Sequence, residues 1–581
     1  MVSRRRILAA SAFPALLGAG CGGGAKTLAT VEAPTAGETA ATSVPTVAPS
    51  PTPPPRPRGG IARLQSRRSL SFDTFDADLS GDASTVEVLG RTHSRLIDYT
   101  GFDAERFGPA LASRWELPDP LTALFHIDPA ARWHDRPPGN GDPVTPTDVA
   151  VSLSRTVGLS LSEPQPAARR AHDWRSVASV AVGPLASDTV RVSLLRPDPH
   201  IYHTLAGRFA FIQLPAAPEL LARSPLEAAS VVGSGPFVLR GQEDGELVFG
   251  AHSGGHAPPL LDGLRLAPAG DVVQRFLAGL EHRVVVEDRR DVAAIRAGAG
   301  SEAVRAPVLF DTPIMSTFYV GASPWNDPRL LEALHLAMDR VELATRLFGD
   351  PERGAASIFM LPPASGLSLG LNEPALQAFD GPVGLDARWR AARERWEAAG
   401  GAALGPITID FPSIFDPRYA ASAVVPALLN EALGVDQFRP AVLSYTTISR
   451  KAAEGEYGNG TAAFWFGWGP QFNDPAAARV LYETYHSAGP TARSLGFAND
   501  EVDSALQQLM LSARPDERAA PARQALSAIA ANGFGGVIPW LVEVHDAFRW
   551  PLLTPGGPDG WWNQHLDVLA AVDSTSPRYR A

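Results

Sequence analysis

Residues 464–475 read FWFGWGPQFNDP and combine four aromatic side chains in the first five positions with a glycine-rich backbone. The run Asn473, Asp474, Pro475 at the end is typical of a turn. Such a segment can form an apolar wall that ends in a few polar groups, which is the composition of a small-molecule pocket. The same aromatic residues are also typical of a buried core strand, and composition alone favours the core.

A second stretch, residues 109–155, contains three motifs that follow one another in a specific order. They are PALASRWE at 109–116, LFHIDPAARWHD at 124–135 and PVTPTDVAVSLSR at 143–155. In the third motif Thr145 is an N-cap and Pro146 occupies the first helical position, so the sequence predicts an amphipathic helix. His134 and Asp135 could be a catalytic pair, but nothing nearby supplies a nucleophile, and a structural hydrogen bond is favoured.

In order and spacing, these motifs resemble family 5 of the solute-binding proteins, the peptide, dipeptide and nickel receptors of ABC importers. The segment at 464–475 is similar to the family's W-G-A-D-Y-P-D-P signature, and VGSGPFVL at 232–239 is similar to its G-T-G-P-Y/F turn. The resemblance implies an α/β fold with two lobes, of the periplasmic-binding-protein type II-like class. It also implies mixed sheets and an extra subdomain in the first lobe.

The resemblance and the local composition together divide the chain into segments. We expect a signal peptide at 1–21, a disordered Pro/Thr/Ala-rich tether at 22–58, a first lobe at 59–269 with an inserted subdomain at about 103–190, a second lobe at 270–545, and a return to the first lobe at 546–581. The tether lacks the apolar periodicity needed to fold. At ~3.1 Å per residue where it is polyproline-like, it could hold a domain clear of a membrane surface.

The N-terminus carries export signals. SRRRIL at 3–8 resembles a twin-arginine motif, and the apolar stretch that follows is too short to cross a bilayer as a permanent helix. LGAGC at 17–21 resembles a bacterial lipobox, although Gly18 stands where a branched aliphatic residue is usual. We therefore expect a lipid on Cys21, with a plain cleaved signal as the alternative. Either way the mature protein is extracytoplasmic, lipid-anchored to the outer face of the cytoplasmic membrane or periplasmic.

The resemblance implies which residues meet a ligand. In the family, the segment that corresponds to 464–475 lines the cleft between the lobes, and a first-lobe segment approaches the ligand with its backbone. The corresponding residues here are Trp468, Gln471, Phe472 and Asp474 in the second lobe, and Ser80, Gly81 and Asp82 in the first lobe. Trp468 and Phe472 would cover the ligand, while Gln471 and Asp474 would fix its polar groups.

One departure from the family bears on the cargo. Peptide-binding relatives place an aspartate where Gln471 stands, and that carboxylate pairs with the peptide's α-ammonium group. A neutral amide offers no full charge, and a buried ammonium group without a counter-ion is strongly disfavoured. Neutral ligands, sugars and blocked peptides are therefore favoured over a peptide with a charged amino terminus, although Asp474 could supply the missing charge. A metal-chelate receptor on the same fold stays an alternative.

Charge and spacing argue against several other classes of function. The net charge of −11 argues against nucleic acid, which requires clustered positive charge. The acidic run from Asp73 to Asp82 does not have the spacing of a twelve-residue calcium loop, so we interpret it as a solvated loop. His252 and His256 lie four residues apart, but the glycines between them break helix geometry. No metal site is expected.

A serine hydrolase is the alternative function. GLSLG at 366–370 fits the nucleophile-elbow pattern, with Ser368 as its nucleophile. That elbow requires a strand, a sharp turn and a helix, whereas these residues lie in a proline-bounded loop. We instead predict a monomeric receptor, not an enzyme, that captures a peptide or other small polar solute and delivers it to the permease and ATPase subunits of an ABC importer. No cofactor is expected.

Overall fold

The fold is taken from a computed structural model. It describes residues 57–66, 70–80, 83–99, 107–159, 168, 171–183, 188–207, 209–284, 286, 289–299, 313–351, 361, 369–372, 374, 381–413, 420–468, 477–512, 514–542, 547–548, 552–554 and 570–572. A few side chains within these elements, including that of Trp468, are not described. The signal peptide, Cys21 and the tether up to residue 56 lie outside the described residues, so the predictions made for them stay predictions.

The described strands are numbered in chain order. They are β1 Ile61–Gln65, β2 Ile97–Tyr99, β3 Phe107–Pro109, β4 Ala112–Asp119, β5 Thr122–Ile127, β6 Val177–Val182, β7 Thr189–Leu194, β8 Phe237–Glu243, β9 Glu246–Ala251, β10 Gly263–Ala267, β11 Arg283–Val284, β12 Pro313–Thr317, β13 Ile407–Pro412, β14 Phe438–Leu443, β15 Phe464–Trp468, β16 Val537–Val542, β17 Ala547–Phe548, β18 Leu552–Thr554 and β19 Ala571–Val572.

The described α-helices are numbered in the same way. They are α1 Ala83–Thr92, α2 Pro146–Val157, α3 Ile201–Leu205, α4 Ala217–Arg223, α5 Val272–Leu277, α6 Arg289–Ala299, α7 Pro328–Ala337, α8 Arg340–Phe348, α9 Leu385–Ala398, α10 Ala421–Leu433, α11 Tyr445–Ala453, α12 Ala477–Tyr485, α13 Pro490–Leu495, α14 Asp500–Leu511 and α15 Pro515–Ala531. None of these helices is long and apolar enough to cross a membrane.

The first large sheet has six strands in the order β17-β11-β1-β10-β9-β8. β1 pairs in parallel with both β10 and β11, while the other neighbours are antiparallel, so the sheet is mixed. Leu64 and Leu266 face each other across the parallel pair and are buried in one hydrophobic cluster with residues of α1. The first sheet is thus closed on one face by α1.

A separate antiparallel sheet has the strand order β4-β5-β7-β6 and is formed by residues between 112 and 194. Phe125 and Val192 are fully buried on it and belong to the same hydrophobic cluster as the first large sheet. Helix α2 packs against β6 and β7. This small sheet lies in the part of the chain for which an inserted subdomain is predicted.

The second large sheet has five strands in the order β14-β13-β15-β12-β16. β13 is parallel to both β14 and β15, whereas β12 is antiparallel to β15 and β16. Its apolar residues form a hydrophobic cluster of their own, together with residues of α7 to α10, α12 to α15 and the connecting turns. The described chain therefore has two large hydrophobic interiors, each on its own mixed sheet. The predicted α/β class with mixed sheets is confirmed.

The local helix signals show where sequence patterns succeed and where they fail. The Thr145 hydroxyl accepts from the backbone N–H of Asp148 at 3.2 Å, and Asp148 Oδ2 accepts from the backbone N–H of Thr145 at 2.9 Å. The predicted start of α2 is thereby confirmed. The cap signal at 326–328 and the apolar spacing that follows predict a single helix that buries Val341 and stops at Gly349. The single helix and the burial of Val341 are wrong. Asp339 caps a new helix, α8, and leaves Val341 41% exposed.

Candidate ligand-binding site

Strand β15 carries the four aromatic residues at the start of the 464–475 segment. The two-residue repeat of a strand places Phe464 and Phe466 on one face, where both are fully buried in the second interior. Phe464 stacks on Phe318, with ring centroids 4.4 Å apart. The core interpretation is therefore correct for these two residues, because strand alternation directs them into the interior.

The other face of β15 carries Trp465, whose ring centroid lies 4.8 Å from that of Tyr457. Asp410 is opposite Trp465 in the parallel pairing with β13 and is buried. The Tyr457 hydroxyl donates to Asp410 Oδ2 at 2.5 Å, and Lys451 on α11 forms an ion pair with the same oxygen. The Lys451 Nζ also lies 4.7 Å from the centroid of the Tyr457 ring. These contacts fix the second sheet against α11.

Burial, and then the neighbouring Asp410 carboxylate, raise the pKa of Tyr457 above its usual value. Tyr457 therefore keeps its proton and acts as a hydrogen-bond donor at neutral pH. Sequence reasoning missed this cluster because Asp410, Lys451 and Tyr457 come from three elements whose pairing depends on the fold. One signal was present, since Lys451 and Lys26 are the only lysines in a chain whose other basic side chains are arginine or histidine.

The strand end at Trp468 leads into the predicted ligand loop. The backbone of Trp468 pairs with Ile314 on β12. The Trp468 side chain and Gln471, Phe472 and Asp474 lie outside the described residues, so their roles stay predictions. The chain leaves β15 at the edge where β13, β14 and β15 have their carboxyl ends, because these strands are parallel. Ligands of open α/β sheets bind beyond such edges.

Of the first-lobe residues predicted to approach a ligand, the structure describes Ser80, whereas Gly81 and Asp82 lie outside the described residues. Ser80 is buried, and its hydroxyl donates to Asp73 Oδ1 at 2.7 Å. Its backbone N–H donates to the carbonyl of Asp76 at 2.9 Å. Ser80 thus uses both donors to shape the segment that precedes α1, and a contact with ligand stays a prediction.

The acidic run before Ser80 is anchored in the interior. Asp76 and Asp78 are each only 3% exposed. Arg155, on the last turn of α2, donates to both carboxylates at 2.5 to 2.8 Å, and Gln213 Nε2 donates to Asp78 at 3.1 Å. The solvated-loop interpretation is wrong for these two residues. The sequence of the acidic run could not show this, because the cation that pairs with it, Arg155, lies 77 positions away from Asp78 in the chain.

One guanidinium group thus serves two buried carboxylates. Burial raises the pKa of Asp78 to about 6, although the attraction of Arg155 opposes this rise. The neighbouring Asp76 carboxylate adds to the increase in the pKa of Asp78. The cluster therefore takes up a proton more readily than an exposed aspartate does.

His134 makes structural hydrogen bonds, as predicted, but to a glycine turn. The backbone N–H of Gly233 donates to Nδ1 at 3.2 Å, and Nε2 lies 3.2 Å from the carbonyl oxygen of Gly235. Burial, with a further contribution from His252, lowers the pKa of His134 well below its usual value, so the ring is neutral. Among the residues described, no three His, Cys, Asp or Glu side chains are grouped to hold a metal ion.

The two interiors, each on its own mixed sheet, define a two-lobed α/β fold in which β15 leads into the 464–475 segment. Residues 106–489 match the family described as bacterial extracellular solute-binding proteins, family 5 Middle. Because this match spans more than half of the chain, the chain belongs to that family. No curated protein sequence matches the chain.

Solved structures share the fold. DppA from Helicobacter pylori, an ABC transporter-associated periplasmic binding protein in complex with the peptide STSA, superposes with a TM-score of 0.69 at 17% identity, covering 89% of this chain and 99% of DppA. AgaA from A. tumefaciens R10, in complex with agropinic acid, gives 0.68 at 18% identity, covering 88% and 99%. OppA from Haemophilus influenzae, in complex with RPPGFSPFR, gives 0.68 at 17% identity, covering 89% and 99%. The predicted periplasmic-binding-protein fold is confirmed.

Proposed function

We propose that the protein is the extracytoplasmic receptor of an ABC importer. It captures a peptide or another small polar solute between its lobes and delivers that solute to a membrane permease with its ATPase subunits. Membership of the solute-binding family supports this proposal. The observation that carries it is the position of β15, whose chain leads into the signature loop at the carboxyl edge of three parallel strands.

Lobe closure is the proposed mechanism of capture. Support comes from the two separate interiors, each with its own sheet, because two independently packed bodies can move relative to each other with little cost in packing. We assign residues 59–269 and 546–581 to one lobe and 270–545 to the other. A solute that contacts both lobes stabilises the closed state by the contacts it makes only there. The permease then recognises the closed shape.

The class of cargo follows from the predicted site. The structures of DppA and OppA hold peptides and that of AgaA holds agropinic acid, so this fold accommodates peptide and non-peptide solutes. In this chain Gln471 provides no carboxylate for a free α-ammonium group. We therefore propose an uncharged polar solute or a blocked peptide, covered by Trp468 and Phe472 and oriented by Gln471 and Asp474.

Attachment to the membrane is proposed through Cys21. The arginine-rich start, the lipobox-like LGAGC and the proline-rich stretch that follows support a lipid anchor with a spacer. The receptor would then stay close to its permease as a monomer outside the cytoplasm. Metabolic labelling with a palmitate analogue tests this proposal. The label is expected on the wild type and absent from Cys21→Ser, and an unlabelled wild type would contradict it.

The serine-hydrolase alternative has less support. Ser368 lies outside the described residues, and the family to which the chain belongs consists of solute-binding proteins. We propose that the protein carries out no catalysis. A fluorophosphonate probe for activated serines provides the check, because it should not label the protein at Ser368.

Identification of the cargo tests the proposed function. The whole protein is purified without denaturation, unfolded with acid, and the released small molecules are identified by mass spectrometry. One solute class is expected at close to one molecule per protein, and adding it back should raise the melting temperature because it binds only the native state. An empty protein whose melting temperature does not respond to peptides, sugars or chelates would contradict the receptor function.

A further inference from the structure

A small cavity lies in the first lobe at the carboxyl end of β1. It is lined by Leu64, Gln65, Glu87, Arg91, Leu266 and Arg283. Leu64 is opposite Leu266 on β10 and opposite Arg283 on β11, and both pairings are parallel. Glu87 and Arg91 are four residues apart on α1 and so lie on one face of it. The cavity therefore lies at the carboxyl ends of three parallel strands, next to α1.

Gln65 is the unusual residue of this cavity. Its side chain is 4% exposed, yet neither Oε1 nor Nε2 has a hydrogen-bond partner among the described residues. Buried side-chain amides nearly always have partners, so an amide without one marks a place where a further polar group belongs. Nε2 lies beside the turn after β10, 3.4 Å from where a Cβ on Gly270 would be.

The cavity limits the size of that polar group. It leaves about 10 Å³ for the centre of a water-sized group, which is enough for one such group and too little for a ring. The guest must therefore be a single terminal group of a larger molecule, or a water molecule.

The charges of the lining limit the chemistry of the group. Glu87 accepts from the Ser66 hydroxyl at 2.5 Å, and its backbone carbonyl accepts from Arg91 at 2.7 Å. Arg91 and Arg283 place guanidinium groups in the lining, and Glu87 places a carboxylate there. The lining therefore carries charges of both signs, and Gln65, whose side-chain amide has no hydrogen-bond partner among the described residues, is itself neutral. A hydroxyl can donate to Oε1 and accept from Nε2 of Gln65 without a net charge, and a carboxamide can do one or the other through the terminal atom that enters the cavity.

The position in the fold connects this cavity with solute binding. α1 begins at Ala83, directly after the segment Ser80–Asp82 that is predicted to approach the ligand. Carboxyl ends of parallel strands in open α/β sheets are where ligands bind. The cavity in the first lobe and the end of β15 in the second lobe therefore both lie at the carboxyl ends of parallel strands.

We propose that this cavity is a polar subsite of the solute cleft, in which Gln65 binds one uncharged hydrogen-bonding group of the cargo, a hydroxyl or a carboxamide. The proposal rests on the proposed receptor function and adds a specificity-determining residue to it. A cargo that lacks such a group leaves the Gln65 amide without a partner and binds more weakly for that reason.

The first test is crystallographic and needs no knowledge of the cargo. Crystals of the whole protein are soaked separately with acetamide, glycerol and sodium acetate at equal concentration. Acetamide or glycerol is expected within hydrogen-bond distance of Gln65 Oε1 and Nε2, and acetate is not. The proposal is overturned if all three soaks show only an ordered water at Gln65, or if acetate binds there as well as the neutral probes do.

The second test uses the cargo that the protein retains through purification. Gln65→Leu keeps the size of the side chain and removes its hydrogen bonds. The control is Gln242→Leu, the same exchange on β8 of the same sheet, where the amide is exposed and donates to the carbonyl of Gly245 at 3.2 Å. Wild type and control are expected to retain the same solute, and Gln65→Leu at least tenfold less, with no loss of melting temperature in the ligand-free protein.

The outcomes separate this proposal from the receptor function. Equal retention by Gln65→Leu and wild type would overturn the subsite and leave the receptor intact. A wild type that retains and binds no solute would contradict the receptor, and the soaks alone would then decide whether Gln65 binds neutral polar groups. A Gln65→Leu variant with a lower melting temperature is replaced by Gln65→Met, which restores side-chain length and flexibility.

Discussion

Arg155 and Asp76 form a buried bidentate ion pair. Nη1 donates to Oδ1 at 2.8 Å and Nη2 donates to Oδ2 at 2.7 Å. Both side chains are less than one-tenth exposed, so neither charge is hydrated. The pair joins α2, the helix of the motif at 143–155, to the segment that ends at Ser80. This ion pair, with the contact of Arg155 to Asp78, holds the motif at 143–155 against the first-lobe segment of the predicted site.

Removal of Arg155 is expected to destabilise the protein strongly. Arg155→Met leaves two buried carboxylates without a cation, and breaking a buried pair in this way costs about 3–5 kcal/mol. The free energy of unfolding from urea titrations measures the effect. Arg114→Met is the control, because that side chain is 65% exposed and its ion pair contributes little. Equal stabilities of the two variants would contradict the account of this cluster.

The stability contributed by Asp78 should depend on pH in a defined direction. Its pKa in the folded protein is about 6, above the ordinary value of 3.8, so the folded protein holds a proton that the unfolded chain has lost between those values. Unfolding then becomes easier as pH rises through this window, by on the order of 3 kcal/mol in total. Asp78→Asn removes the effect.

The measurement compares Asp78→Asn with the wild type at pH 4, 5, 6 and 7. Other carboxylates titrate in both proteins, so the difference between the two unfolding free energies isolates Asp78. The variant should gain stability relative to the wild type as pH rises from about 4 to about 6, and the difference should be constant above that. A constant difference across the range would show that the folded-state pKa of Asp78 is not raised.

Gly233 is expected to tolerate no side chain. A Cβ at this position would lie 1.9 Å from the carbonyl oxygen of Thr92, a backbone atom that cannot move alone. Gly233→Ala should therefore lower the melting temperature by roughly 4 °C or more, or prevent folding, because a clash with backbone atoms is among the most destabilising effects of a single substitution. Gly254→Ala is the matched control, because its nearest atom is 3.9 Å away. Similar melting temperatures for both variants would contradict the packing described.

The contact between Lys451 and Asp410 should contribute substantially to the second lobe. Lys451→Met leaves Asp410, which is 1% exposed, without its cation, and a loss of about 3 kcal/mol is expected in urea unfolding. Arg450→Met is the control on the same helix, because its ion pairs with Glu454 and Glu456 are exposed and little change is expected. If both variants unfold at the same urea concentration, the contact between Lys451 and Asp410 does not stabilise the second lobe.

Features of the fold could be predicted from the sequence where they depend on residues that are close together in the chain. The cap at Thr145 and the start of α2 follow from residues within one helical turn, and the fold class follows from motifs whose order is preserved along the chain. The partners of Asp76 and Asp410 could not be predicted, because they depend on which elements pack together. Arg155 is 79 residues from Asp76 and Lys451 is 41 residues from Asp410.

The candidate site was predictable to different degrees in its two halves. Strand β15, which precedes the signature loop, lies in the second sheet. The alternation of its side chains places Phe464 and Phe466 in the core and not at the ligand. Gln65 could not be recognised, because a glutamine at the end of an alternating segment is ordinary in sequence. Gln65 becomes notable only in the fold, where both of its amide atoms are buried without a hydrogen-bond partner among the described residues.

A calorimetric titration of the released cargo into the ligand-free protein and its Trp468→Ala variant tests directly whether a solute binds at the carboxyl end of β15. One-to-one binding to the wild type is expected. Binding to the variant should be at least about tenfold weaker, which corresponds to about 1.4 kcal/mol, because the aromatic cover of the ligand is lost. The melting temperatures of the two ligand-free proteins should agree. Binding of equal strength to both proteins, or no binding heat with the wild type, would contradict a solute site at the carboxyl end of β15.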